Sequence, residues 1–238
     1  MMKRLLAILV LIAVVSDTVG AQPILRRRRC LRLGYDSVHT APEDERTRQA
    51  DAEHAARSLF NGKDLSGWAV IEKYDFAAHG EIAVVDNAII LGAGTPASGI
   101  RVDGEFPRSD YEVTLEAKRI DGSDFFCGIT FPVGDDYLSL VLGGWGGGTT
   151  GLSNLDNMSA IENETTGYTE FEQNRWYRVR LRVTSEKVEV WIDKEQIVDV
   201  EHAKRKLSIW WEQEPVRPFG IASWYTKSAV RDIQLTRL

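Results

Sequence analysis

An all-β sandwich or barrel is the fold class this sequence predicts, and three observations predict it. The first is alternation. Tyr111, Val113, Leu115 and Ala117 interleave with Glu112, Thr114, Glu116 and Lys118, and Tyr177, Val179, Leu181 and Val183 interleave with Trp176, Arg178, Arg180 and Arg182. A period of two marks strands with one buried face. The second is punctuation: Asn61-Gly62, Asp86-Asn87, Asp121-Gly122, Gly134-Asp135 and Asp193-Lys194 are turn dipeptides set between apolar runs. The third is an absence: no helical period of any length runs through residues 58–238. The links are too short for parallel crossovers, so the strands pair antiparallel.

The elements follow in order. SLFNGKDLSGW, residues 58–68, opens the folded part, with Phe60, Leu65 and Trp68 as apolar anchors between two turns. Residues 81–91 read as a hairpin around Asp86-Asn87. Strands are expected over 111–120, 125–131, 137–142, 176–183, 188–192, 196–200, 219–225 and 230–238. Residues 143–166, GGWGGGTTGLSNLDNMSAIENETT, carry neither period, so they read as a long loop, and a long loop in a compact domain is usually functional.

The chain has 238 residues, 43% of them hydrophobic, which suits one domain plus a tail. Residues 1–57 hold 10 basic and 7 acidic residues, leaving 19 basic and 28 acidic, net −9, for the remainder. An acidic body argues against nucleic acid as a partner. The body's one cysteine, Cys127, sits in an apolar run, which excludes a disulfide framework and a multi-cysteine zinc site there. Lys3 and Arg4, the apolar residues 5–15 and the small residues Val19-Gly20-Ala21 have the layout of a signal peptide over 1–21. The arginines at 26–29 favour the alternative, an uncleaved membrane anchor. A secreted, periplasmic or envelope location is expected. Residues 22–57 read as a polar linker.

SLFNGKDLSGW resembles the opening motif of the 3-keto-disaccharide hydrolase domain family. YEVTLEAKR (111–119), RWYRVRLRVTSEKVEVWIDKEQIVD (175–199) and FGIASWYTKSAVRDIQLTRL (219–238) are similar to its later strands. The resemblance covers 58–238 and implies a concanavalin A-like jelly-roll sandwich of two antiparallel sheets, one concave, acting on sugars. The middle segment resembles a planctomycete-type bacterial subgroup. It also departs from the family pattern: SDFFCGITF and YLSLVLGGW lack the arginine and the glutamate that many members carry there.

The chemistry that the resemblance implies is removal of the C2 proton of a 3-keto-glycoside by a base, followed by loss of the C1 oxygen and addition of water. It needs a base, an acid and a group to hold the enediolate oxygen, and no resident redox cofactor. Glu116, on the polar side of its strand, is a candidate base or a cross-strand ion-pair member. Asp156 and Glu162 are candidate loop carboxylates; with Glu164 they form an acid pair, a calcium site with Asn side chains, or solvated charges. The calcium spacing is incomplete, so the metal is left unknown. Trp145 is a sugar-stacking platform or a core residue. Arg101, Lys118, Asn154 and Asn163 complete the substrate-binding candidates. A carbohydrate is the expected partner, with a non-catalytic binding or envelope-interaction module as the alternative on the same fold. The oligomeric state stays open.

Overall fold

The computed structural model describes residues 55–238. The signal or anchor over 1–21, the arginines at 26–29 and all but the last three residues of the 22–57 linker lie outside the described residues. The strands, in chain order, are β1 (Arg57–Ser58), β2 (Trp68–Val70), β3 (Ile82–Val85), β4 (Ala88–Leu91), β5 (Ala97–Val102), β6 (Tyr111–Asp121), β7 (Cys127–Val133) and β8 (Asp136–Gly144). They continue with β9 (Thr149–Ser153), β10 (Gly167–Tyr168), β11 (Tyr177–Val183), β12 (Lys187–Ile192), β13 (Glu195–Glu201), β14 (Gly220–Trp224) and β15 (Lys227–Arg237). Two 3-10 turns, Tyr74–Phe76 and Trp211–Val216, interrupt them.

The strands form two antiparallel sheets. The first runs β13-β12-β11-β6-β15-β4-β3, with β1 also on β15; the second runs β10-β9-β8-β7-β14-β5-β2. The predicted hairpin at Asp86-Asn87 is present, with φ of 50° and 61° at the two turn residues, the positive angles a tight two-residue hairpin turn requires.

Alternation places the core. Ile100, Ile221, Ile129, Leu140 and Leu152 stand side by side across the second sheet. All are fully buried, as are Leu115 and Leu181 on the facing sheet. Cys127 belongs to this core, and burial pushes its thiol up to about 12, so it stays protonated and inert.

The other face of the second sheet is built from small side chains. Ser153, Ser139, Thr130 and Gly220 form one row, and Gly151, Val141, Gly128, Ala222 and Gly99 form the next. The 3-10 turns cover part of this face. Phe76 lies on Gly99, where an added Cβ would stand 2.7 Å from its ring. Phe76, Ile71, Val216 and Ala222 make a second, smaller core there.

The stretch 143–166 is not one structureless loop. β8 continues through Gly144, a turn at 145–148 reverses it, and β9 pairs back along β8. Its glycines hide this from a periodicity test. Gly143, Gly146 and Gly147 supply φ of 81°, 93° and 109° at the reversal.

Candidate functional site

A cleft of about 410 Å³ opens on the small-residue face of the second sheet. Gly128, Ser139, Val141 and Ser153 form its floor. Trp145, Trp210, Trp224 and Phe125 form its walls, and Asp124, Glu212 and Gln213 add polar groups. The floor is low because glycine and serine stand where a large side chain would fill the space. The roof is the second 3-10 turn, which carries Glu212 and Gln213 over the sheet.

Asp124 lies in the middle of the link between β6 and β7. Its amide donates to Thr226 Oγ1 at 3.1 Å, and the Phe125 amide donates to its Oδ1 at 2.7 Å. Burial raises its affinity for a proton above that of an ordinary carboxylate, although the amides of Phe125 and Trp145 and the nearby Arg119 pull the other way. Glu212 has its Oε2 buried without a hydrogen-bond partner among the described residues.

Arg119 holds this end of the cleft together. It stands at the inward-facing end of β6 and is only 5% exposed. Its Nη2 donates to the carbonyls of Asp124 (3.1 Å), Gly143 (3.1 Å) and Gly147 (2.8 Å). Its guanidinium lies over the Phe126 and Phe171 rings. Among the described residues no carboxylate forms an ion pair with it. One buried cation therefore fixes both the link bearing Asp124 and the turn bearing Trp145.

The structure distributes the sequence candidates as follows. Trp145 is in the cleft, 48% exposed. Arg101 is on β5, on the same sheet face but beyond the cleft lining, opposite Ala69 and Gly220. Glu116 and Lys118 are on the outer face of the other sheet: Glu116 accepts from Arg231 at 2.7 Å, and Lys118 lies over the Trp176 ring. The loop carboxylates lie outside the cleft lining and are paired within the loop and its neighbours. Asp156 and Glu164 both pair with Arg205 at 2.7 Å, so one guanidinium joins these two carboxylates. Glu162 accepts from Ser159 Oγ at 2.5 Å, which lowers its proton affinity. Asn163 is buried and ties Leu152, Ser159 and Thr165 together. Asn154, adjacent to Ser153 of the cleft floor, is buried with φ of 64°. Among the described residues no three His, Cys, Asp or Glu side chains converge as a metal site.

Asp124, Glu212 and Arg119 are absent from the sequence candidates. Arg119 had a visible signal, because it continues the inward series 111, 113, 115, 117 and places a cation on the apolar side of β6. Asp124 and Glu212 had none, since their roles depend on the cleft that the turns create.

Fold and cleft define the class first: a jelly-roll β-sandwich of two antiparallel sheets with one outer face hollowed. The chain belongs to the 3-keto-alpha-glucoside-1,2-lyase-like domain family, which it matches over residues 55–236. No curated protein sequence matches it. Among solved structures it is similar to a protein of unknown function with a galectin-like fold from Bacillus subtilis (14% identity, TM-score 0.55, covering 77% of this chain and 94% of that one). It is also similar to the apo form of the Crh5 transglycosylase (12% identity, TM-score 0.52, covering 77% and 83%). A third is the carbohydrate-binding module CBM66 from Bacillus subtilis (11% identity, TM-score 0.50, covering 73% and 98%). These likenesses show the shared fold.

Proposed function

We propose that the cleft binds a sugar and cleaves a 3-keto-glycoside, with Asp124 as the base that removes the C2 proton. One observation carries this reading: a half-buried carboxylate of raised proton affinity stands among Trp145, Trp224 and Phe125 in the cleft. Aromatic faces suit the C–H-rich faces of a pyranose. A carboxylate with raised proton affinity is a stronger base once ionised. The C2 proton passes to Asp124, the C2–H electrons form the enediolate, and the C1–O bond then breaks. The leaving oxygen takes a proton, for which Glu212 across the cleft is the donor. Water adds to the resulting double bond. A separate dehydrogenase makes the ketone beforehand. The similarities to a transglycosylase and a carbohydrate-binding module agree with a glycan ligand. An exported or envelope-anchored bacterial protein of a planctomycete-type group is the setting that the leader and the middle segment suggest.

The test is sugar release from a 3-keto-glycoside. The wild type is expected to release sugar, with a rate that rises as pH passes upward through the raised Asp124 value. Asp124→Asn is expected to lose about 100-fold or more and the pH limb with it. Wild-type binding without release under any metal condition would favour the non-catalytic module, a reading supported by the missing family arginine and glutamate.

A further inference from the structure

We infer that Tyr74 and Trp211 form a second sugar-binding platform outside the cleft, which takes a further pyranose unit of a glycan longer than a disaccharide. The inference rests on the cleft being a sugar site. Six large aromatics are exposed among the described residues: Tyr74, Trp145, Tyr168, Trp210, Trp211 and Tyr225. All belong to the second sheet or the segments that cover it. The tryptophans of the first sheet's outer face, Trp176 and Trp191, are instead capped by cations.

Tyr74 and Trp211 come from different 3-10 turns and meet edge to face, with ring centroids 5.2 Å apart and an interplanar angle of 74°. Each turn has its own buried anchor, Phe76 or Val216, at 0% exposure. The aromatics are therefore not needed to bury the turns, and they remain 56% and 59% exposed. Tyr74 also takes φ of 57°, a left-handed conformation that is costly for a bulky residue and common at ligand-contacting positions. Trp210, the immediate neighbour of Trp211, lines the cleft. One residue step, about 3.8 Å between Cα atoms, thus separates the cleft wall from the platform. A glycan that extends past Trp210 would reach this exposed pair.

The experiment is calorimetric titration of the full chain with matched di- and tetrasaccharides of glucose, galactose and xylose, each with and without a 3-keto group on its terminal unit. The expected result is that, for the series that binds, the tetrasaccharide binds more tightly than the disaccharide. Trp211→Ala and Tyr74→Ala should each remove about 3- to 10-fold of tetrasaccharide affinity, the range expected for an aromatic contact beyond its area. Disaccharide affinity and the melting temperature should stay unchanged, and Trp211→Phe should retain the gain. Equal affinity for both lengths, or a length gain that survives Trp211→Ala, overturns the platform and leaves the cleft reading intact. Binding of no saccharide overturns both.

Discussion

The outer faces of the two sheets obey the same alternation and come out opposite. On the first sheet, Arg180 and Arg182 reach Glu112, Arg231 reaches Glu116, and Arg180 lies 3.6 Å from the centre of the Trp191 ring. Long side chains lie across their neighbours and satisfy one another, so little is left to grip a ligand. On the second sheet the central outward positions are mostly glycine, alanine, serine and threonine, which cannot cover the strands. The covering comes from the 3-10 turns and leaves a gap between aromatic walls. Alternation says which residues face outward; their size decides whether that face is sealed or hollow.

The largest expected effect falls on the hollow side. Arg119→Met keeps the apolar bulk between Phe126 and Phe171 but leaves the carbonyls of Asp124, Gly143 and Gly147 without their donor. Hydrogen bonds to a charged group contribute about 1.5–3 kcal/mol, so a loss of about 3 kcal/mol is expected in chemical denaturation, with a change in Trp145 fluorescence. An unchanged denaturation midpoint and spectrum would mean that the turn holds itself, and the hollow would not depend on this cation.

Glu116→Gln probes the sealed side. The Glu116 and Arg231 side chains are about one-third exposed, so the pair is worth about 0–1 kcal/mol. Sugar release should match that of the wild type. A loss comparable to that of Asp124→Asn would move the chemistry to the first sheet and undo the contrast between the faces.

How much was legible follows the same division. The first sheet was readable because every alternate residue of 111–118 and 177–183 carries its own label, apolar or charged. The second sheet was readable on its core side only. Its outer side is written in Gly128, Gly151, Ser139 and Ala222, residue types that loops share, and β9 was accordingly merged into a loop. Trp145 stood out as a large aromatic among glycines, and it is in the cleft. The loop acids stood out too, but their partners Arg205 and Ser159 are known only from the folded chain, and they leave Asp156, Glu162 and Glu164 occupied. Trp210 and Trp211 lie on no strand but at the start of a 3-10 turn, where one lines the cleft and the other meets Tyr74.

The smallest effect separates the faces by pH. Lys187 and Asp199 pair at 2.9 Å on the first sheet, and the hydrogen bond to Asp199 raises the lysine's affinity for its proton above the ordinary 10.5. A group whose value rises on folding stabilises the protein fully below its unfolded value, and that stability is lost as pH climbs through the folded one. Lys187→Met should therefore lower the denaturation midpoint slightly at pH 7–9, by an amount that shrinks above the ordinary lysine value and in high salt. Asp124 is also raised, from 3.8, so the same sign puts its stability loss in the window rising from 3.8, far from that of Lys187. Asp124→Asn should then become relatively more stable than the wild type as pH rises through that window, while Lys187→Met shows no change there. If both variants tracked the wild type at every pH, neither charge would be held differently by folding. The contrast between a sealed face and a hollow one would then be one of shape alone.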